Sequence, residues 1–191
     1  MTDRERLLFK FELETPETGN PDDETCLRAE VPPGDLDKIV FGGQAFHFVS
    51  PFVVEARARW ADEDLEVTVR VSAVLSSPCS RCLEPSRIEI LEDFLYLYSL
   101  RDKEPSEEDA LEEDFRVVRI ESWRRFMDIT DQVWESLILS LPLKVLCSPG
   151  CRGLCPRCGK PLNGESCGCG GEETDPRLEK LAGIKIEDPS E

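Results

Sequence analysis

The sequence predicts an α+β protein in which a curved antiparallel β-sheet or partial barrel is followed by one main C-terminal amphipathic helix and a cysteine-rich module. Three observations predict this class. Apolar and polar residues alternate through much of the first 99 residues, the period changes to that of a helix near residue 129, and cysteines cluster between residues 147 and 169.

The alternating segments predict half-buried strands at residues 7–13, 52–60, 65–75 and 88–98, and a further short strand at residues 115–120. The second and third segments are separated only by a polar turn at 61–64, which is typical of a hairpin. Glu92 falls on the otherwise apolar side of its segment and therefore indicates a bulge or a sheet edge at that point.

One amphipathic helix is predicted after these strands. Its apolar stripe recurs every four residues, at Ile129, Val133, Leu137 and Leu141. Asp128 and Thr130 are the two candidates for its N-cap, and Pro142 is expected to end it because proline cannot continue a helix. The stripe is most simply explained by packing against the sheet.

These patterns divide the chain into three parts. Residues 1–146 are expected to form a β-rich domain with the helix at its end and an acidic loop at 101–114, residues 147–170 a cysteine-rich module, and residues 171–191 an acidic tail. A short terminal helix is predicted within the tail, at 175–181.

Composition excludes several classes of protein. The formal charge is −17, from 23 basic and 40 acidic residues, which argues against unspecific binding to duplex nucleic acid. A charged fraction of 33% and the lack of a long apolar run exclude a membrane protein. The N-terminal stretch MTDRERLLFKFELE has charges inside its apolar patch and no small-residue cleavage site, so we expect a cytoplasmic protein.

Eight of the nine cysteines form four tight pairs, and Cys26 is alone. In a reducing compartment, clustered thiols at short spacing are more often metal ligands than disulfides. The sequence CPRCG is typical of a zinc knuckle, in which Gly159 permits the tight turn after the second cysteine. We therefore expect Zn²⁺, in two sites of four thiolates each, at Cys79, Cys82, Cys147, Cys151, Cys155, Cys158, Cys167 and Cys169.

Loop length suggests how the pairs combine. Only a short polar loop separates Cys155 and Cys158 from Cys167 and Cys169, so these four are expected to share one ion. The other four would then join the turn after a strand to the end of the helix. A crossed arrangement, with the first pair bound to Cys155 and Cys158, remains open, as do an iron–sulfur cluster and a redox CxxC. The unusual Cys167-Gly-Cys169 spacing also allows one of its members to be a bystander.

Basic residues flank the cysteine pairs although the chain is strongly acidic. They either offset the thiolate charge or face an RNA or an acidic partner, and they are the candidate partner-binding residues: Arg81, Arg87, Lys144, Arg152, Arg157 and Lys160. No catalytic constellation is evident. The sole histidine, His47, is read as a strand residue, and a site closed by four sulfurs leaves no position for a reactive water. We therefore do not expect an enzyme.

The motifs resemble the YceD family, the bacterial large-subunit (23S) ribosomal RNA accumulation proteins. The resemblance rests on the sequence CSRCLEP at 79–85 after a β-rich half, on a helix ending Leu-Ser-Leu-Pro, and on the cysteine-rich stretch 146–169, and it covers about residues 5–170. It implies a non-enzymatic role in 23S rRNA accumulation or processing. The expected partner is a ribosomal protein, a processing factor or pre-23S rRNA, and the acidic charge favours a basic protein.

Two other function classes stay open at this point. One is a structural zinc-binding interaction module in another pathway, such as regulation of transcription or translation. The other is a thiol redox or metal-handling protein.

Overall fold

The computed structural model of the chain describes residues 9–17, 23–100, 116–164 and 167–169. The expected acidic loop at 101–114, the acidic tail at 171–191 and its short helix lie outside the described residues, as do the first two positions of the strand expected at 7–13. Within the described residues, nine strands and one helix follow one another: β1 (Glu12–Glu14), β2 (Glu24–Val31), β3 (Lys38–Phe41), β4 (Gln44–Phe48), β5 (Phe52–Ala61), β6 (Asp64–Pro78), β7 (Pro85–Leu100), β8 (Arg116–Ile120), β9 (Phe126–Asp128) and α1 (Thr130–Leu139).

Strand β6 is the centre of the main sheet. One of its edges pairs with β7 from Leu65↔Tyr98 to Pro78↔Pro85, and its other edge pairs first with β5 and then with β4, in both cases antiparallel. Strands β2 and β3 extend the sheet on the outer sides of β5 and β4. The predicted hairpin at 52–75 is confirmed, and its register places Ala61 opposite Asp64.

The predicted class, mostly antiparallel sheet with one helix, is confirmed, and the sheet does not close on itself in the described residues. One pairing departs from the antiparallel expectation, because β8 runs parallel to the end of β7, from Tyr96↔Arg116 to Leu100↔Ile120. No bulge occurs at Glu92, which lies opposite Val71 in unbroken register. On the side of β7 away from β6, no described strand pairs with this part of the strand, so the alternative expectation of an edge is the one observed.

Helix α1 packs on the sheet through its predicted stripe. Val133, Trp134 and Leu137 are fully buried, and the indole of Trp134 stacks on Phe52 with ring centroids 6.0 Å apart. Two tyrosines of β7 add hydrogen bonds to the helix, since the hydroxyl of Tyr96 lies 2.9 Å from that of Ser136 and the hydroxyl of Tyr98 donates to the side chain of Gln132. This helix is too short to cross a membrane, and none elsewhere in the described part is long and apolar enough to do so.

The start of α1 differs from both expected caps. Ile129 occupies the N-cap position without a side-chain hydrogen bond, and Thr130 is already helical. The hydroxyl of Thr130 instead accepts the backbone N–H of Phe11, while a carboxylate oxygen of Asp128 accepts the N–H of Thr130. A long-range hydrogen bond to Phe11, the residue before β1, has therefore replaced the local cap that the sequence suggested, and β1 itself pairs antiparallel with β9.

Candidate metal centre

The first CxxC pair lies in the turn between the two longest strands, β6 and β7. The backbone N–H of Cys79 donates to the carbonyl of Glu84 at 2.8 Å, and the N–H of Leu83 donates back to the carbonyl of Cys79 at 2.9 Å. Closing this turn requires the left-handed backbone conformation at Leu83, which has φ 65°. The backbone N–H of Arg81 also points at the sulfur of Cys79, 3.5 Å away.

The second CxxC pair forms a turn of the same construction. The N–H of Cys155 donates to the carbonyl of Lys160, and the N–H of Gly159 donates to the carbonyl of Cys155, both at 2.9 Å. Gly159 has φ 72° and corresponds to Leu83 of the first turn. The sequence predicted the role of Gly159 but missed its equivalence to Leu83, although the shared CxRC spacing was the available signal.

The structure brings four cysteine sulfurs together at the first turn. Cys79 and Cys82 meet Cys147 and Cys151, and all four sulfur atoms lie within 4.8 Å of one another. The sulfur of Cys79 is 3.7 Å from that of Cys151, and the sulfur of Cys82 is 3.5 Å from that of Cys147. We call these four residues the first group.

The remaining four cysteines, Cys155, Cys158, Cys167 and Cys169, also gather with their sulfurs within 4.8 Å, and we call them the second group. The crossed pairing is therefore not the arrangement found, and both members of Cys167-Gly-Cys169 take part. Cys26 lies in β2 opposite Arg57, apart from either group.

The spacing within the first group fits a tetrahedral ion. Zinc–thiolate bonds of about 2.3 Å place the sulfurs of a tetrahedral site roughly 3.8 Å apart. The distances of 3.5 and 3.7 Å are close to this value and far longer than a disulfide bond of about 2.05 Å. All nine cysteines are unpaired thiols in the structure. Both groups have the all-sulfur donor set that soft metal ions prefer, and each can hold one ion.

Hydrogen bonds lower the pKa of at least one thiol in each group. At Cys79, burial opposes ionisation, but the backbone N–H groups of Cys82, Arg81 and Cys147 outweigh it and lower the pKa of the thiol to about 6. At Cys155, the backbone N–H groups of Cys158 and Arg157 lower the pKa to about 6. Such thiolates are the form of cysteine that binds a metal ion.

Another thiol of each group holds its proton more tightly. The backbone N–H of Glu84 favours the thiolate of Cys82, but burial and the neighbouring thiols raise its pKa to about 12. Hydrogen bonding with Cys158 similarly raises the pKa of Cys169 to about 12. Filling either group therefore requires the release of protons.

Hydrogen bonds, in addition to the sulfur contacts, join the segment that follows α1 to the first CxxC turn. The N–H of Ser80 donates to the carbonyl of Val145 at 2.8 Å, and the guanidinium of Arg81 donates to the carbonyl of Cys151 at 2.7 Å. Gly153 has φ 77°, and a Cβ at this position would lie 3.2 Å from the carbonyl oxygen of Arg81. The two chain segments thus approach each other as closely as a glycine allows.

We expect Gly153→Ala to lower the free energy of unfolding by about 1–3 kcal/mol and to weaken metal retention by the first group. Two costs combine, the left-handed backbone and the close contact with Arg81. Gly159→Ala is the matched control, because Gly159 has φ 72° but open space around its Cβ position. Urea unfolding and metal content would measure both variants, and equal losses in the two would show that the contact with Arg81 contributes nothing.

Asn163 is a residue of this site that the sequence reasoning did not assign. Its side-chain N–H groups lie 3.4 Å from the sulfur of Cys151 and 3.7 Å from that of Cys147. This amide is the main cause of the lowered pKa of Cys151. Its proximity to sulfur could not be read from a motif, because Asn163 lies in the loop between the cysteines of the second group.

The candidate partner-binding residues Arg81, Arg87, Lys144, Arg152, Arg157 and Lys160 are all exposed. Arg87 forms an ion pair with Glu89 at 3.0 Å, and the guanidinium of Arg81 donates a hydrogen bond to the carbonyl of Cys151. His47 lies in β4, as its alternation predicted, with its ring 3.9 Å from the carboxylate of Asp37.

The fold and the site define a class of protein: an open β-sheet with one helix and two four-cysteine groups, each able to hold a metal ion. The first group joins the tip of the β6–β7 hairpin to the chain that follows the helix. Comparison with known families then identifies the family. Residues 67–185 match the family model for the large ribosomal RNA subunit accumulation protein YceD, and the chain belongs to the YceD family.

Relatives are found in bacteria and in a plant. Uncharacterized proteins of Mycobacterium bovis and Mycobacterium tuberculosis are 33% identical over 67% of this chain, which spans 59% of their length. A chloroplastic Arabidopsis thaliana protein, named large ribosomal RNA subunit accumulation protein YCED homolog 1, is 25% identical over 60% of this chain and 42% of its own length. No solved structure matches the chain.

Proposed function

We propose that this protein is a non-enzymatic factor in the assembly of the large ribosomal subunit, which supports accumulation or processing of 23S rRNA. Membership of the YceD family, named for large-subunit rRNA accumulation, is the observation that carries this proposal. The site agrees with it, because four thiolates around each ion would leave no open position for a reacting water or substrate. The metal ions then serve to fix the shape of a binding surface.

We propose zinc as the ion in both groups. Zn²⁺ prefers tetrahedral thiolate sites, does not change oxidation state, and is commonly held by CxxC turns whose backbone amides point at sulfur. The N–H groups of Cys82, Arg81 and Cys158 provide such contacts here. Metal analysis of protein purified without a metal-affinity tag should give two zinc ions per chain. Iron in place of zinc, or thiols that cycle under mild oxidant, would favour the redox or metal-handling alternative.

The first group presents the proposed docking surface. Leu83 is 65% exposed and Leu143 is 89% exposed, and they lie on the two segments that this group joins. The backbone of Leu83 is in the left-handed conformation, which costs a non-glycine residue on the order of 1 kcal/mol. Burial of its side chain does not compensate this cost, because the side chain is exposed. Exposed apolar side chains rimmed by polar residues mark interaction sites, and arginine is enriched at protein–protein interfaces.

We propose a basic ribosomal protein as the partner. With a formal charge of −17, this chain attracts a basic surface at long range and repels the phosphates of naked RNA. The exposed cations Arg81, Lys144 and Arg152 would meet acidic groups of the partner or nearby rRNA phosphates. Residues 147–170 then act as a module that the first ion holds against the β-rich part, in a cytoplasmic and reducing setting.

Depletion of the protein from cells tests the proposed role. We expect 23S rRNA to fall relative to 16S rRNA, and precursors of the large subunit to accumulate in sucrose gradients. Co-sedimentation of the protein with these precursors should weaken as salt rises, because opposite charges steer the encounter. Normal 23S levels with unchanged subunit profiles would rule the assembly role out and favour an interaction module in another pathway.

A double variant, Leu83→Ser with Leu143→Ser, tests the docking surface itself. We expect association with large-subunit precursors to weaken about 10-fold or more, because exposed apolar anchors carry much of the binding energy at an interface. Both zinc ions should remain, since neither side chain is a metal ligand. Leu91→Ser is the matched control, because Leu91 is 70% exposed on β7 but lies away from the cysteines. Equal affinity of the double variant and the native chain would place the docking surface elsewhere.

A further inference from the structure

Asn163 lies among the cysteines of the second group in the sequence, but its side chain contacts the first group. It lies between Cys158 and Cys167 along the chain, yet its side-chain amide donates to the sulfurs of Cys151 and Cys147. Its side-chain oxygen accepts the backbone N–H of Arg152 at 2.8 Å, which orients the amide so that the nitrogen faces sulfur. In the described part of the chain, the polar contacts of this side chain are therefore with two members of the first group and with Arg152, the neighbour of Cys151.

A small hairpin carries Asn163 to this position. Residues 152–155 pair with residues 160–163, through the N–H of Leu162 to the carbonyl of Gly153 and the N–H of Cys155 to the carbonyl of Lys160, both at 2.9 Å. Leu154 and Pro161 form an antiparallel bridge between them. The turn that closes this hairpin is the second CxxC turn, whose two cysteines belong to the second group.

We propose that Asn163 is a positioning residue that couples metal binding by the two groups. This inference rests on the proposed metal binding. An ion in the second group would fix the CxxC turn, the turn would fix the hairpin, and the hairpin would hold the amide against two sulfurs of the first group. Coupling of this kind is reciprocal, so an ion in the first group also favours the hairpin that the second group needs.

The chemistry of the first group explains why an amide is suited to this position. Four thiolates around a divalent ion carry a net charge of −2, and N–H groups directed at sulfur offset part of that charge. An asparagine provides two such N–H groups and still has an oxygen for the N–H of Arg152. An aspartate of the same shape would keep the bond to Arg152 but would turn one acceptor oxygen toward the sulfurs.

Asn163→Asp in the full chain is the decisive variant, because it separates donation to sulfur from the fold of the hairpin. The native chain and the variant are loaded with ¹¹³Cd²⁺, which gives a resolved NMR signal for each site. We expect the signal of the first group to shift and its ion to be released about 10-fold faster to excess chelator. A purely structural role would leave that signal in place, because the bond to Arg152 survives in the variant.

Gln44→Glu is the matched control. The side chain of Gln44 donates to the carbonyl of Pro78 at 2.6 Å, next to Cys79 in sequence, but it does not bond to sulfur. The substitution adds the same charge and removes one amide donor. We expect release of both ions to change less than about twofold, since the effect assigned to Asn163 requires contact with the metal ligands.

Cys167→Ser, which removes a ligand of the second group, tests the coupling. In the native background it should accelerate release of the ion from the first group about 10-fold. In Asn163→Asp it should add little, because both substitutions disrupt the same link between the groups, the hairpin that carries Asn163. The coupling would be overturned, with metal binding left intact, by either of two results. One is that the effects of the two substitutions on ion release from the first group simply multiply, and the other is that the ¹¹³Cd signal of the first group does not shift in Asn163→Asp. A native chain that takes up no cadmium would instead overturn the proposed metal binding, and the coupling with it.

Discussion

Replacing Cys79 with serine is expected to reduce the metal content from two ions per chain to one and to detach the segment from Cys147 to Cys169 from the β6–β7 turn. Cys79 is fully buried, and its sulfur lies 3.7 Å from that of Cys151, which belongs to the segment that follows the helix. Because metal binding to a small module supplies much of its folding energy, the loss of attachment should be on the order of several kcal/mol.

Two measurements check this result. Elemental analysis gives the number of bound metal ions, and limited proteolysis reports whether residues 147–164 have become accessible. Cys26→Ser is the control, since Cys26 is exposed on β2 and lies outside both groups. Two retained ions and unchanged protection of this segment in Cys79→Ser would contradict the assignment of Cys79 to the first group.

Truncation of Trp134 is expected to cause the largest loss of stability in the β-rich part, about 3–5 kcal/mol for Trp134→Ala. The indole is fully buried and stacked on Phe52, so its removal leaves a cavity between α1 and the sheet. Trp134→Phe should cost much less, because the indole nitrogen has no hydrogen-bond partner in the described chain and its loss leaves no group unsatisfied.

Urea unfolding with zinc present measures this effect. Leu139→Ala, at the C-terminal end of the same helix and 51% exposed, is the control and should change the free energy of unfolding by less than about 0.5 kcal/mol. If Trp134→Ala were as mild as Leu139→Ala, the helix would depend on the metal rather than on its apolar face. The buried contacts of Trp134 and the tyrosine hydrogen bonds indicate that α1 stays on the sheet without the first ion.

Local patterns were sufficient to predict much of this fold. Period-two alternation identified the β5–β6 hairpin because inward and outward side chains differ along each strand. The parallel pairing of β8 with β7 could not be predicted in the same way, since a short apolar segment does not specify the direction of its neighbour. Local patterns also failed at Thr130. Its hydroxyl does not cap the helix but accepts a hydrogen bond from the N–H of Phe11, a residue far away in sequence.

The cysteine groups were predictable to different degrees. The second group follows from a short loop between its pairs, and the first was obtained by elimination, which left the crossed arrangement open until the sulfur positions were known. Asn163 and Leu83 were missed for different reasons. Asn163 acts across a hairpin that no spacing rule identifies, and Leu83 occupies a left-handed position where a glycine would be expected.

The two groups also differ in how much of the chain must fold before their sulfurs can meet. Contacts within the first group span 72 and 65 residues, so its sulfurs meet only after the sheet, the helix and the segment beyond it have emerged from the ribosome and folded. The second group draws all its sulfurs from residues 155–169, which emerge later, but its short loop can close without the sheet in place. A filled first group would therefore mark a chain whose sheet and helix have already folded.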